Sequence, residues 1–148
     1  MFGFKIDQAR SMFFDRAAVT GAMDRKTRRV FSRFGAFVRT RARSSIRRRK
    51  RVSTAGAPPS AHTKWLKMIF FAYDAARQSV VIGPVKLNRI GNAPEALEYG
   101  GQTRIKVAGS RRRRRRFRTV SIAARPYMQP AFDEERPKLS GMYAGQVK

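Results

Sequence analysis

Cysteine is absent from the sequence. Disulfide staples and thiolate metal sites are therefore excluded, and the composition suits a chain made in a reducing cytosol. Histidine occurs once, at His62, within the breaker-rich stretch "STAGAPPSAHT" that reads as a loop. A Ser-His-Asp arrangement would hang on that one loop side chain, so nucleophilic catalysis of this kind is not expected. Long hydrophobic runs are missing as well. The longest uncharged apolar run, Met68 to Tyr73, falls far short of the ~20 residues of a membrane-spanning helix. The first ten residues carry Lys5, Asp7 and Arg10 where a signal peptide would have its apolar centre. The expectation is a soluble chain that is not exported. Acidic residues are also few, nine in all.

Against them stand 34 lysines and arginines, 25 of them arginine, for a net charge of +25 over 148 residues. Such a surface repels itself and seeks polyanions or an acidic protein face. Its 42% apolar content nonetheless argues against wholesale disorder, and the length suits one domain with its own core.

The elements follow from periodicity and breakers. "MFGFKID" alternates as a short strand, with Asp7 placed to cap a short helix through Met12 and Phe13. Asp24 offers a second cap, after which Thr27, Val30, Phe34, Phe37, Val38 and Arg41 recur at spacings of three and four. This predicts an amphipathic helix over 24–50, on the order of 37 Å long at 1.5 Å per residue. Beyond Val38 only Ala42 and Ile46 can continue the buried stripe, so the helix is expected to leave the core and project as a basic rod. "KWLKMIFFAYD" and "QSVVIGPV" read as two strands joined by a tight turn, and "PEALEYGG" as a short helix framed by Pro94 and Gly100. "TRIKVA" and "FRTVSIAA" alternate as strands, with Phe117, Val120 and Ile122 as candidates for one face. "PYMQPAFDEERPKLSGMY" reads as a proline-started helix running into a polar tail. The whole is an α+β domain over 1–148: the long basic helix packed on a small, mostly antiparallel sheet (64–125, with a basic loop at 108–118), a C-terminal helix (126–138) and a tail (139–148).

Convergent chemistry is scarce. Glu95 and Glu98, three apart on the short helix, can share a face as nuclease carboxylates do, yet no third ligand is near, and Glu98 is the more natural partner for an arginine. Asp133, Glu134 and Glu135 are adjacent and read as solvent-facing charges or as partners of a helix N-terminus. "GNAPEALEYGG" has neither the lysine nor the spacing of a phosphate-binding loop. No catalytic residue, metal ligand or cofactor site is assigned, and the chain is not expected to be an enzyme.

The candidate contact residues are therefore the basic clusters. Eight of the thirteen residues from Arg39 to Arg51 are basic and none is acidic: Arg39, Arg41, Arg43, Arg47, Arg48, Arg49, Lys50 and Arg51. The second cluster is Arg111, Arg112, Arg113, Arg114, Arg115 and Arg116, followed by Arg118, between two predicted strands at or near a hairpin tip. Burying even one unpaired guanidinium costs several kcal/mol, so the block is solvated or held by a partner. Zinc-finger spacing, an aromatic RNA-reading strand and a Gly-hinged helix pair are all missing, so any nucleic-acid contact is expected to be with phosphates.

Read in order, the basic helix, "GAPPSAHTKWLKMI", "SVVIGP", "PEALEYGG" and "ARPYMQPAF" resemble the neck or tail-completion proteins of long-tailed bacteriophages, also described as head–tail joining proteins or tail components. The resemblance covers Asp24 to Arg136. It departs from the family pattern at Lys64, where a glycine is usual after Thr63, and in its heavier arginine load. It implies a virion protein assembled in the host cytoplasm as a homo-oligomeric ring between the portal-side connector or adaptor and the tail-tube or tail-terminator proteins. Packaged double-stranded DNA would pass through the lumen, and no membrane is involved. The other readings are a basic, sequence-nonspecific nucleic-acid-binding protein of the ribosome or nucleoid, and a phage-encoded nuclease.

Overall fold

A computed structural model describes residues 16–61, 64–85, 93–107 and 116–144. The chain folds as α+β: a long helix, two separate two-stranded antiparallel sheets, and short helices near the C-terminus. The spine is α1 (Arg16–Ser45). Val30, Phe34, Val38 and Ala42 recur every fourth residue as its buried stripe, which continues into Ile46.

Its limits differ from the predicted 24–50. Asp24 is not the cap; it lies inside the helix, where its Oδ1 accepts from Gln78 Nε2 at 2.9 Å. Gly21 is also helical, at a cost of about 1 kcal/mol against alanine that the rest of the helix absorbs. No basic rod projects at the other end. Ser44 and Ser45 turn their hydroxyls onto the carbonyls of Arg41 and Ala42, each at 2.8 Å, and the chain leaves the helix. Ile46 is then fully buried, while Arg47 forms a parallel bridge with Ser60. A continued helix would have stacked Arg43, Arg47 and Arg51 one turn apart, a repulsive spacing for like charges.

β1 (Ile69–Asp74) and β2 (Ser79–Pro84) form the expected hairpin, preceded by a 3-10 turn at Trp65–Lys67. Asp74 Oδ1 accepts from the backbone N–H groups of Ala76 and Arg77, and Gln78 takes a left-handed φ of 46° to close the turn. The register sets Phe71 opposite Ile82 and Tyr73 opposite Val80 on the face toward α1, while Phe70, Ala72 and Val81 face outward and are exposed. Gly35 permits the close approach. A Cβ there would lie 2.9 Å from Phe71 Cδ2 and 3.0 Å from Val80 Cγ2.

α2 (Ala93–Tyr99) ends at Gly100, whose φ of 78° and proximity to Ala124 N, 3.1 Å from a would-be Cβ, require glycine. β3 (Gly101–Val107) pairs with β4 (Arg116–Ile122) from Gly101↔Ile122 to Val107↔Arg116. The single sheet expected from sequence is thus two ribbons, because each buries its inner face on a different helix: β1–β2 on α1, β3–β4 chiefly on α2. Phe117 does not share a face with Val120 and Ile122. Side chains alternate along a strand, so the odd spacing puts Phe117 on the solvent side, 58% exposed. The connection 108–115 joins the strands, and Arg116 to Arg118 belong to β4 and not to the loop.

α3 (Met128–Glu135) runs through a 3-10 turn (Arg136–Lys138) into α4 (Leu139–Ala144), where a polar tail was expected. Leu139 and Met142 pack against the core and Tyr143 meets Phe31 edge-on at 6.1 Å, so apolar spacing within "LSGMYA" outweighs its small and polar residues. The core joins Phe34, Val38, Ala42, Ile46, Ala61, Ile69, Tyr127 and Ala131. The predicted first strand and the helix through Met12 and Phe13 lie outside the described residues.

Candidate nucleic-acid interface

The first basic cluster divides into two groups. Arg39 is half-buried, its Nε donating to the carbonyl of Ile69 at 2.9 Å and its guanidinium lying 5.7 Å from the centre of the Phe70 ring. Arg41 is gripped by two carboxylates, Glu134 Oε1 at 2.6 Å from Nη2 and Glu135 Oε1 at 3.3 Å from Nε. Both hold the long helix to the rest of the fold. Arg43, Arg47, Arg48, Arg49, Lys50 and Arg51 are instead exposed, and none forms an ion pair among the described residues.

The backbone beneath these six is fixed. Ile46 anchors it in the core, Ala61 N donates to Arg47 O at 3.2 Å, and Arg49 N donates to Ser60 Oγ at 3.1 Å. Two residues past Arg51, Ser53 O accepts from Arg125 Nε at 3.0 Å, and Gly56 N donates to Ala124 O at 2.9 Å. The basic segment is therefore sewn to the chain leaving β4, the strand that carries the second cluster.

In that cluster Arg111, Arg112, Arg113, Arg114 and Arg115 lie outside the described residues, Arg116 opens β4, and Arg118 is exposed on it. The register also places Arg104, which opens the basic segment 104–118 but is not among the contact residues assigned from sequence. Arg104 sits opposite Thr119, is exposed, and places its guanidinium 5.8 Å from the centre of the Phe117 ring. The alternation of "TRIKVA", with Arg104 and Lys106 two apart, was its signal. Arg104 and Arg118 fall on opposite faces of the ribbon, since Arg118 pairs with Ile105.

The carboxylates are placed otherwise than expected. Glu98 neither faces a metal with Glu95 nor pairs with an arginine. It is buried, and its carboxylate accepts from three backbone N–H groups, those of Tyr127 (3.0 Å), Met128 (3.1 Å) and Gln129 (2.8 Å). These are the donors that the start of α3 leaves unpaired, and Pro130, next in line, has none to offer. Arg125 N donates to Leu97 O at 2.6 Å beside it. The end of α2 thus clasps the chain from Arg125 to Gln129, and the Glu98 charge meets the positive end of the α3 dipole.

Asp133, Glu134 and Glu135 stand at the C-terminal end of α3, not at a helix N-terminus. Asp133 accepts from Gln129 Nε2 at 3.0 Å, and Glu134 and Glu135 hold Arg41, which leaves Glu95 as the exposed acid of the group with no such bond among the described residues. Lys138 Nζ donates to Glu135 at 2.8 Å; that bond, with help from Arg41, holds the Glu135 carboxyl below its usual pKa. Compared with protein-family models, curated proteins and solved structures, the chain finds no match. Among the described residues no three acids or histidines gather as a metal site, and no helix is long and apolar enough to cross a membrane. His62 lies outside the described residues. What the geometry offers is two exposed basic segments whose neighbouring chain is tied together where Arg125 meets Ser53 and Gly56 meets Ala124.

Proposed function

We propose that the protein is a structural subunit of a long-tailed phage particle, assembled as a ring at the head–tail junction between the portal-side connector and the tail tube, around the DNA channel. The observation that carries this reading is the joint at Glu98. "PEALEYGG" and "ARPYMQPAF", two of the motifs on which the resemblance to neck and tail-completion proteins rests, meet there as one unit. Glu98 caps α3, Gly100 turns the chain, and Arg125 ties Leu97 to Ser53, so these groups serve shape.

Two further features suit a subunit that gains neighbours. The β3–β4 ribbon rests chiefly on α2, and two-stranded ribbons are marginal alone. Outward-facing Phe70 and Val81, 52% and 65% exposed, leave apolar surface on β1–β2. The second reading, a basic protein of the ribosome or nucleoid, is favoured by the exposed run Arg47 to Arg51. Imaging the purified protein at high salt by cryo-microscopy separates the two. Closed rings, and co-sedimentation with phage particles, are expected; a monomer at every concentration that co-purifies with ribosomes or nucleoid would overturn the ring.

A further inference from the structure

The two basic segments leave one corner of the fold, and we infer that their common partner is the phosphate backbone of duplex DNA, contacted by Arg43 and Arg47 to Arg51 together with Arg104 and Arg118. The inference deepens the ring reading and rests on it for its place in the particle, but the binding itself requires only the single chain.

Three observations carry it. First, the six cations of the segment are exposed and lack ion-pair partners among the described residues, while the backbone under them is pinned at Ile46, Arg47 and Arg49. The backbone that carries them is thus held in place before any partner arrives, which lowers the ordering cost of binding to that of the side chains. Arg39 and Arg41, close by in sequence, are excluded because Ile69, Glu134 and Glu135 already occupy them.

Second, the segment and the ribbon spring from one corner. Gly56 N meets Ala124 O, five residues beyond Arg51 and six beyond Arg118. At ~3.4 Å per extended residue the two arginines are at most on the order of 40 Å apart, little more than the ~34–36 Å of one duplex turn. Both can engage the same short duplex. Arg104 and Arg118, on opposite faces of the ribbon, leave neither face without a cation.

Third, the composition favours phosphate over protein. Protein interfaces keep charge out of their centres and fill them with aromatic and other apolar anchors. In the stretch from Arg47 to Val52 the one apolar residue is Val52, and an acidic protein would need a matching run of carboxylates. Duplex DNA supplies a charge every ~1.7 Å along its axis, and guanidinium groups pair well with phosphate.

The test is fluorescence anisotropy of a labelled 30-base-pair duplex of arbitrary sequence, titrated with the full-length protein over a range of salt concentrations. Replacing Arg47, Arg48, Arg49, Lys50 and Arg51 by Gln should reduce the slope of log K against log salt by about 4–5, given ~0.9 for each phosphate no longer neutralised. Arg104→Gln with Arg118→Gln should lower it by about 1–2. Lys in place of the four arginines at 47, 48, 49 and 51 should retain the slope, and Arg77→Gln, on the far hairpin turn, should leave it unchanged. An unaltered slope in both Gln variants overturns the inference, as does displacement of the duplex by polyglutamate at equal charge concentration, which would make the partner an acidic protein. Rings that assemble but bind no duplex would refute this surface and leave the ring standing. Duplex binding by a chain that never forms rings would do the reverse.

Discussion

Removing the Glu98 carboxylate should be among the most damaging single changes available to this fold. Glu98→Ala strands three N–H donors at the start of α3, two of them beside the fully buried Tyr127 ring. A stranded buried donor costs about 1–3 kcal/mol, and Gln129, being exposed, can recruit water, so the sum is about 3 kcal/mol. At ~2–4 °C per kcal/mol for a domain of this size, Tm should fall by about 6–12 °C. Glu98→Gln retains one acceptor oxygen but turns an NH2 group onto at least one backbone N–H, so its cost should be intermediate, about 1–2 kcal/mol. Glu95→Ala, on the same helix but exposed, should stay within about 0.5 kcal/mol of the parent. Urea unfolding followed by circular dichroism measures all three, with an unchanged m-value as the check that the unfolding transition is comparable. If Glu98→Ala matches Glu95→Ala, the clasp holds nothing and the reasoning fails; metal-dependent DNA cleavage abolished by Glu98→Gln would show that the carboxylate has chemistry after all.

Tyr127 carries a buried hydroxyl with no partner among the described residues, and burial, then the charge of Glu98, pushes its pKa up to about 12. The unfolded chain loses that proton near ~10 and so binds fewer protons than the folded one between those values; stability should fall as pH rises through the window, by on the order of 2–3 kcal/mol in all. Tyr127→Phe should escape that fall and equal or exceed the parent by ~1 kcal/mol at neutral pH; a lower neutral Tm, or the same alkaline slope, contradicts this. Glu135, held ionised chiefly by Lys138 and further by Arg41, contributes stability above the unfolded carboxyl pKa that is lost as pH falls through and below it. Glu135→Gln should therefore cost about 1–2 kcal/mol at neutral pH and almost nothing in acid, and a pH-independent deficit in thermal melts would refute the pairing. Replacing Arg111 to Arg115 by Ser and Gly, with Arg116 kept because it opens β4, should leave Tm nearly unchanged, within the ~0–1 kcal/mol typical of charges outside the core, while a complementation assay should yield heads and tails that fail to join or particles that leak DNA. An unfolded variant, or a normal infectious yield, would contradict it.

What was legible in the sequence was whatever depends on near neighbours. The period of four from Val30 to Ala42 is the buried face of α1, the two apolar runs split by a turn are β1 and β2, the two alternating runs are β3 and β4, and Pro94 with Gly100 frames α2. The end of α1 was not legible. Helix periodicity extends through Ile46, but a helical Ile46 would commit the next cations to one-turn stacking, and only the bridge to Ser60 shows the extended alternative. The separation into two ribbons was hidden for a similar reason: alternation reveals that a strand has an inner face, not which helix covers it.

Side-chain roles show the same limit more sharply. Glu98 serves donors 29 to 31 residues away, and Arg41 meets carboxylates more than 90 residues away. No spacing rule reaches that far. Yet Arg41 did carry a local sign of its role, for it continues the three-and-four spacing of Phe34, Phe37 and Val38 along the helix. That spacing sets Arg41 beside the buried stripe, on the flank of the helix that the C-terminal helices approach, where its half-exposed guanidinium meets two carboxylates. The acids Glu134 and Glu135 read from sequence as solvent-facing charges or partners of a helix N-terminus, because adjacency does not say which cation the fold brings to them. Charge density alone merges such an arginine with its neighbours; the carbonyl and carboxylates that the fold brings to Arg39 and Arg41 separate them from the exposed cations at and beyond the end of the helix.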